Sequence, residues 1–528
     1  MSRRWAAAAV LFCVVSGLSG YLLAEGYIDR LPNHRGYFLV GVPDQVAPQA
    51  APTAAERPRH AVLILLDGLR ADHAMQMTSV EQLRQAGQCR KSDVGPLSVS
   101  RPVYAVVSTG LEQDRTGVRI NDCSIPLPVE SIFQVAHRAG RRVFGVSELP
   151  WVPQLFPDGF DGFEIVARSD DHFRRTESAL GDLSLFLPIY IDETAHDFGA
   201  ASPQYRESVA RADAEVGRLL GRLDLRRDLV VLTADHGHSD RGGHGARSPE
   251  VAQVLTCFSG FGVRKLAAET APPFPSRAIG PALALLSGLP FPQHMRAGED
   301  GLDVLFELAD PAVYRADYLA DRQAALSRFR QQNRQSVAGW LGQPGEADWS
   351  ALYRRQSLRQ AARGLAVFSA MAGLLAIIAR RLSPRPTSRQ LAELGGFCGL
   401  ACGGLVVVWI ALRGSFDFTS MNERADFIKW VIVASLLTLA TTLGLSRLRR
   451  RPLAEITAGL VALVALLGSV NAAHIVAFGW PMGFPLPGPL LLFVPFIAGS
   501  FQAVVAVTAL PALAMLLRQK ARAAKPSP

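Results

Sequence analysis

Three apolar runs of the sequence each stop at an aspartate. Residues 60–66, 186–191 and 230–234 lead directly into Asp67, Asp192 and Asp235. Short continuous apolar runs bounded by turn residues are typical of strands buried on both faces of a parallel sheet. Such sheets place ligands just outside the carboxyl ends of their strands, so we expect the three aspartates to meet at one edge. The pattern therefore predicts an α/β domain with a mostly parallel central sheet.

Histidines follow two of these aspartates. His196 lies four residues after Asp192, while Asp235 is followed by His236 and, after a glycine-rich turn, by His244. Carboxylate oxygen and imidazole nitrogen are ligands that suit Zn²⁺ and similar divalent ions. Three carboxylates at neighbouring strand ends would repel one another unless cations lay between them. The six side chains therefore predict two divalent metal ions, with Zn²⁺ as the first choice.

A serine next to an Arg-Pro pair supplies the candidate nucleophile. In the string Ser-Val-Ser-Arg-Pro at residues 98–102, Ser100 is the preferred residue and Ser98 is the competing choice. Coordination to a divalent cation lowers the pKa of a serine hydroxyl, so that an alkoxide can attack. The apolar residues 103–107 predict a buried helix behind this turn, and an ordinary helix N-cap is the alternative interpretation of the motif.

Together these motifs resemble the alkaline phosphatase superfamily, and within it most closely the glycosylphosphatidylinositol ethanolamine phosphate transferases. The motifs that carry the resemblance are residues 66–72 (Leu-Asp-Gly-Leu-Arg-Ala-Asp), 100–102, 192–196 and 235–245. The type I phosphodiesterase and nucleotide pyrophosphatase branch is similar too, but it usually places its last metal histidine much further from the Asp-His pair. The motif argues against a sulfatase, because that branch needs an arginine four residues after its nucleophile, where this chain has Tyr104.

The resemblance implies a fold and a division of the ligands. The fold would be an alkaline-phosphatase-like three-layer α/β domain, joined here to an α-helical membrane domain of several spans. One metal ion would be held by Asp192, His196 and His244, and the other by Asp67, Asp235 and His236, with Ser100 facing both. The chain departs from the transferase family at Ala195, where a glycine is usual, and at Val103 or Tyr104, where a histidine is usual.

The reaction that the resemblance implies is the transfer of a phosphoethanolamine-type group through a serine ester. The donor would be a phospholipid such as phosphatidylethanolamine, and the acceptor a glycan or a lipid-linked sugar. A membrane-anchored phosphodiesterase or nucleotide pyrophosphatase that uses water is the alternative. A third class is a channel, transporter or scaffold with an inert domain. The presence of all six ligands and the serine argues against it.

Uncharged stretches of membrane-spanning length occupy both ends of the chain. Of its 528 residues, 49% are hydrophobic and only 19% are charged, which is few charges for a soluble protein. Residues 5–24 predict an anchor, with a cleaved signal peptide as the alternative. Five further spans are predicted at residues 364–379, 394–412, 430–446, 456–478 and 486–517. The predicted organisation is an anchor (1–25), a proline-rich linker (26–57), a catalytic domain (58–360) and a membrane domain (361–528).

The basic residues indicate the orientation in the membrane. If the spans alternate, the clusters at residues 3–4, 380–389, 447–451 and 518–525 all fall on one side, as the positive-inside rule requires for the cytoplasm. The catalytic domain is then extracytoplasmic, in a periplasm or an organelle lumen. The net charge of +9 is no argument for nucleic acid, because the basic residues cluster at the ends of spans.

Three cysteines fall in the predicted catalytic domain. They are Cys89, Cys123 and Cys257, and in an oxidising compartment two of them could pair. Pairing of Cys89 with Cys123 is one of three arrangements that the sequence leaves open.

Overall fold

The computed structural model describes residues 3–30, 56–170, 172–173, 180–266, 273–292, 303–382, 387–420, 424–479 and 489–523. Most of the predicted linker therefore lies outside the described residues. The chain divides into two compact units, one formed by Pro32–Arg354 and the other by Met1–Leu31 with Arg355–Pro528. The exact boundaries of the four predicted segments stay predictions.

Helices and strands are numbered along the chain. The described helices are α1 (Arg3–Arg30), α2 (Ala71–Ala74), α3 (Thr78–Ala86), α4 (Ser100–Thr109), α5 (Gln113–Thr116), α6 (Ile132–Arg138), α7 (Trp151–Leu155), α8 (Tyr190–Phe198), α9 (Pro203–Leu220), α10 (Pro249–Ala252), α11 (Ile279–Leu286), α12 (Val304–Leu308), α13 (Ala316–Leu341), α14 (Trp349–Leu382), α15 (Ser388–Arg413), α16 (Arg424–Leu448), α17 (Leu453–Phe478) and α18 (Pro489–Ala523). The described strands are β1 (Ala61–Leu65), β2 (Gly87–Asp93), β3 (Val143–Ser147), β4 (Gly162–Ile165), β5 (Leu183–Leu187), β6 (Leu229–Thr233), β7 (Gln253–Gly260) and β8 (Phe274–Pro275).

The strands form one mostly parallel sheet in the order β4-β3-β5-β1-β6-β7-β2-β8. Strands β1, β5 and β6 lie side by side and parallel at its centre, and every residue of the three is buried. Strand β7 runs antiparallel to both of its neighbours. Apolar residues on both faces of a strand need cover on both sides, which explains why these runs do not alternate with polar residues. The predicted α/β class with a mostly parallel sheet is confirmed.

The register of the central strands brings two of the predicted aspartates together. Leu65 of β1 pairs with Thr233 of β6, and Asp67 and Asp235 each follow two residues later. Both aspartates therefore leave the sheet at the same level of the same edge. The prediction for Asp192 was wrong in one respect, because β5 ends at Leu187 and Asp192 lies in the first turn of α8. Pro188, which has no backbone N–H to continue a strand, separates the two elements.

A disulfide joins two neighbouring strands of the sheet. Cys89 on β2 and Cys257 on β7 are directly opposed in the antiparallel register and are bonded to each other. Cys123 is a buried free thiol, so the Cys89–Cys123 pairing is wrong. Strand register, which brings residues so distant in sequence together, decides between the pairings that the sequence left open.

The second unit is a helical bundle with several apolar helices. Among the described residues, four helical segments are long and apolar enough to cross a membrane: Ser388–Arg413, Asp426–Leu448, Leu453–Phe478 and Phe493–Gln519. They contain or overlap four of the predicted spans. The predicted anchor lies in α1, whose apolar stretch Ala8–Leu22 is shorter, and the predicted span 364–379 lies within α14. The number of spans therefore stays a prediction.

Close packing and a polar chain join α1 to α17 and α18. A Cβ atom on Gly20 would lie 2.7 Å from the carbonyl oxygen of Gly499, so α1 approaches α18 as closely as a glycine allows. Gln502 donates from Nε2 to the Ser16 carbonyl oxygen at 2.8 Å and accepts at Oε1 from Asn471 at 2.9 Å. Inside a membrane, helices gain little from burying apolar side chains against one another, because lipid is equally apolar. Small residues and interhelical hydrogen bonds of this kind then stabilise helix packing.

Candidate metal centre

The aspartates and histidines predicted from the sequence meet at the carboxyl edge of the sheet. His236 Nε2 lies 3.5 Å from Asp67 Oδ1 and 3.2 Å from Asp235 Oδ2, and all three side chains are fully buried. This group corresponds to one of the two predicted ligand sets. Its ligand atoms lie close enough together to hold a single ion.

The other predicted set lies directly beside it. His196 Nε2 is 3.4 Å from Asp192 Oδ2 and 3.2 Å from His244 Nε2. His244 Nε2 is in turn 3.7 Å from Asp192 Oδ1. Asp192 and His196 both lie on α8, four residues apart, which places them on one face of the helix. The structure thus brings all six predicted ligands together, and their roles as ligands stay a prediction.

Local structure holds these side chains in place. Both oxygens of Glu148 accept hydrogen bonds from the Ile189 N–H, and Glu148 Oε1 also accepts from Tyr190 N–H, so a buried carboxylate fixes the start of α8. His244 Nδ1 lies 2.6 Å from the Ser98 carbonyl oxygen, which leaves Nε2 free to face the centre. Gly68 has a backbone φ of +73°, and a Cβ there would lie 2.7 Å from Asp192 Cα. Only glycine allows this close approach of the loop after β1 to α8.

Charge in this centre is poorly balanced without cations. Burial and the neighbouring charges of Asp235 and Asp192 raise the pKa of Asp67 well above its ordinary value. Burial would also raise the pKa of Asp192, but the surrounding histidines outweigh it and hold that pKa well below the ordinary value. Asp67 Oδ1 and Asp235 Oδ2 are buried without a hydrogen-bond partner. Buried oxygens of this kind and the mixed Asp/His donor set both fit divalent metal ions.

Ser100 lies against this centre. Its Oγ is 3.1 Å from His236 Nε2, and the side chain is buried at the first position of α4. The N-cap of α4 is Val99, so Ser100 does not serve as the N-cap that the alternative interpretation assumed. Ser98 is occupied elsewhere, since its Oγ donates to the Ala246 carbonyl and accepts from Gly245 N–H, both at 2.8 Å.

The sequence reasoning missed three residues at the centre. Asn121 donates from Nδ2 to Ser100 Oγ at 3.5 Å and accepts from the Arg101 N–H at 3.0 Å. Tyr104 donates its hydroxyl to Asp67 Oδ2. His238 Nε2 lies 2.6 Å from Asp192 Oδ1. His238 had a sequence signal as a further histidine between His236 and His244, and Tyr104 had one as a possible departure from the transferase family, whereas nothing in the motifs indicated Asn121.

A family model covers part of this unit. Residues 154–247 match the model described as type I phosphodiesterase / nucleotide pyrophosphatase. The chain resembles this family. The matched segment includes Asp192, His196 and all the residues from Asp235 to His244.

Two characterised proteins are similar to the chain over part of its length. The human GPI ethanolamine phosphate transferase 2, catalytic subunit, is 26% identical over 261 residues, which are 44% of this chain and 26% of that protein. Phosphopentomutase from Chromohalobacter salexigens is 28% identical over 198 residues, which are 36% of this chain and 45% of that protein. The chain thus spans less than half of the length of either relative.

Among solved structures, murine ectonucleotide pyrophosphatase / phosphodiesterase 5 is similar with a TM-score of 0.39 and 12% identity, over 48% of this chain and 100% of that one. The family resemblance predicted from the motifs is confirmed by the family model and the human relative. The family model and the human relative support an enzyme that acts on phosphoesters.

Proposed function

We propose that the chain is a membrane-bound, metal-dependent transferase that moves a phosphoethanolamine-type group from a phospholipid donor to a glycan or lipid-linked acceptor. The observation that carries the proposal is the 3.1 Å approach of Ser100 Oγ to His236 Nε2, within a ring of buried aspartates and histidines. This arrangement places a nucleophile against groups that would hold cations. The similarity to the human ethanolamine phosphate transferase supports the choice of transferred group.

In this proposal two divalent ions, with Zn²⁺ as the first choice, would lower the pKa of the Ser100 hydroxyl and would offset the charge of the phosphate oxygens when bound. Asp192, His196 and His244 would hold one ion, and Asp67, Asp235 and His236 the other. Imidazole and carboxylate ligands match the preference of Zn²⁺ for nitrogen and oxygen donors.

The chemistry of the chain itself then follows in two steps. Ser100 Oγ forms a bond to the phosphorus of the donor, and the bond from phosphorus to the lipid alcohol breaks, so that the group becomes an ester of Ser100. The acceptor hydroxyl then forms a new bond to phosphorus and releases Ser100. Asn121, whose amide reaches Ser100 Oγ, is placed to donate to a non-bridging oxygen in both steps.

Apolar helices support a lipid donor. Four described helices are long and apolar enough to span a membrane, and a multi-span protein keeps its soluble domain near lipid head groups. We propose that the catalytic domain is extracytoplasmic, in a periplasm or a lumen, so that it meets the phospholipids of the outer or lumenal leaflet.

A phosphodiesterase that uses water as the acceptor is the second candidate. The match of residues 154–247 to the type I phosphodiesterase / nucleotide pyrophosphatase model favours it. The two candidates share the Ser100 ester and differ only in what removes the group from it.

Incubation with head-group-labelled phosphatidylethanolamine tests the proposal. Purified wild type should acquire label on Ser100, Ser100→Ala should not, and a chelator should prevent the labelling. Ser98→Ala is the matched control and should still form the ester, because Ser98 Oγ is bonded to the residue 245–246 backbone. Label on the Ser100→Ala protein would disprove the assignment of Ser100 as the nucleophile. With an alcohol acceptor present, label on the alcohol indicates a transferase, and free phosphoethanolamine alone indicates a hydrolase.

A further inference from the structure

His238 is a buried histidine at the centre to which the proposed reaction gives no part. It is fully buried, two residues after His236, and its ring lies within 5.5 Å of the rings of three other histidines, centroid to centroid. With Asp192, His236 and His244 it forms a group whose ligand atoms all lie within 4.8 Å of one another. His238 could therefore act in one of two ways, as a metal ligand itself or as a residue that holds the ligand Asp192 in position.

Distances between donor atoms separate these two roles. Two atoms that bind the same tetrahedral Zn²⁺ at ~2.0 Å lie roughly 3.3 Å apart. Within the predicted set, His196 Nε2 lies 3.2 Å from His244 Nε2 and 3.4 Å from Asp192 Oδ2, and both separations are near this value. The separation of His238 Nε2 from Asp192 Oδ1 is 2.6 Å, which is the length of a charge-assisted hydrogen bond.

The two oxygens of Asp192 therefore face different partners. Oδ1 accepts a hydrogen bond from His238 Nε2, because a carboxylate oxygen has no proton to give. Oδ1 also lies 3.7 Å from His244 Nε2, whereas Oδ2 faces His196 Nε2 at 3.4 Å. A carboxylate held by one oxygen cannot rotate freely, so its second oxygen stays directed at the predicted ion.

We propose that His238 is a positioning residue of the metal centre, which holds Asp192 through Oδ1 and so keeps Oδ2 directed at the predicted ion beside His196. The inference rests on the proposed function only in requiring that the centre binds metal. Partners that orient metal ligands in this way typically contribute 10–100-fold in metal affinity.

Zn²⁺ affinity of three variants tests the role without any substrate. The affinity is measured on the full chain in detergent by competition with a chromophoric chelator. His238→Leu removes the donor and should weaken binding of one of the two ions by about 10–100-fold. His238→Gln keeps an N–H donor and should stay within a few-fold of wild type. His137→Leu is the matched control, since His137 is half-exposed on α6, and it should bind both ions as wild type does.

Replacement of Zn²⁺ by Co²⁺ separates a positioning residue from a ligand. The visible spectrum of Co²⁺ reports the number and type of its ligands, so the His238→Gln protein should give the wild-type spectrum. A changed spectrum, with affinity as weak as that of His238→Leu, would make His238 a ligand and overturn the proposal. Wild-type affinity in His238→Leu would overturn it as well.

Wild-type protein alone provides a test if the variants fail to fold. X-ray absorption of the two-zinc form should count three imidazoles, from His196, His236 and His244, whereas four would identify His238 as a ligand. Wild type that binds no metal at all would instead disprove the metal-dependent reaction, an outcome distinct from any result with the His238 variants.

Discussion

At the residue scale, Glu112 is a partly exposed carboxylate held by positive charges. Arg115 and Arg277 lie 3.2 Å and 3.5 Å from its oxygens, and the Tyr353 hydroxyl donates to it at 3.2 Å. Burial would raise the pKa of Glu112, but these partners outweigh it and hold the pKa below the ordinary value. A carboxyl group with a lowered pKa in the folded state contributes stability above its unfolded pKa and loses it as the pH falls through the folded pKa.

We therefore predict that Glu112→Gln lowers the free energy of unfolding by about 1–2 kcal/mol at neutral pH. The difference from wild type should shrink to nothing as the pH falls below the ordinary carboxyl range. Urea unfolding followed by fluorescence at a series of pH values measures it. Glu81→Gln, which removes an exposed ion pair with Arg84, is the control and should have little effect at any pH. A difference that is the same at every pH would contradict the prediction.

Single residues at the site were predictable where they belonged to a motif. Asp67, Asp235 and His236 follow apolar strands directly, and the parallel register then brings them together. Asn121 lies on a loop that follows no strand of the central sheet, and its approach to Ser100 depends on packing that no local pattern encodes. His238 stands out in the sequence as a further histidine, but its bond to Asp192 depends on how close the loop after β6 comes to α8.

At the element scale, apolar runs predicted the central strands but not where one of them ends. Residues 186–191 read as one continuous run, although the structure divides it between β5 and α8. Apolar residues at a helix start and at a strand end look alike in sequence. On α8, Asp192 and His196 are one helical turn apart, which brings both side chains to the same predicted ion site.

The bond between Cys89 and Cys257 closes a loop of 168 residues across two neighbouring strands. Because such a crosslink restricts the unfolded chain, we predict that Cys89→Ser with Cys257→Ser lowers the free energy of unfolding by about 2–5 kcal/mol. Thermal unfolding with and without reductant measures the effect. Cys123→Ser leaves the disulfide intact, so that control should still lose stability in reductant, while the double variant should not respond. Six alkylated thiols in non-reduced, denatured wild type would contradict the disulfide.

At the scale of the whole molecule, composition predicted that membrane-type helices accompany an α/β domain. Four such helices are found among the described residues, and α18 continues through Pro495 and Pro511. Part of the last loop, at residues 480–488, and the tail at 524–528 lie outside the described residues. The orientation of the chain depends on which side of the membrane its basic residues occupy, so it has to be tested in a membrane.

The arginine distribution predicts that both chain ends lie in the cytoplasm and the catalytic domain on the other side. The Arg447–Arg451 cluster at the end of α16 and the Arg518–Lys520 residues of α18 would then be cytoplasmic, as the positive-inside rule requires. Green fluorescent protein fused after residue 528 should fluoresce, and a secreted-phosphatase reporter there should be inactive. The same reporters inserted at Gly140, an exposed turn with space around it, should give the reverse pattern. Fluorescence at both positions would place the metal centre in the cytoplasm and remove the lumenal or periplasmic leaflet as the source of donor lipid.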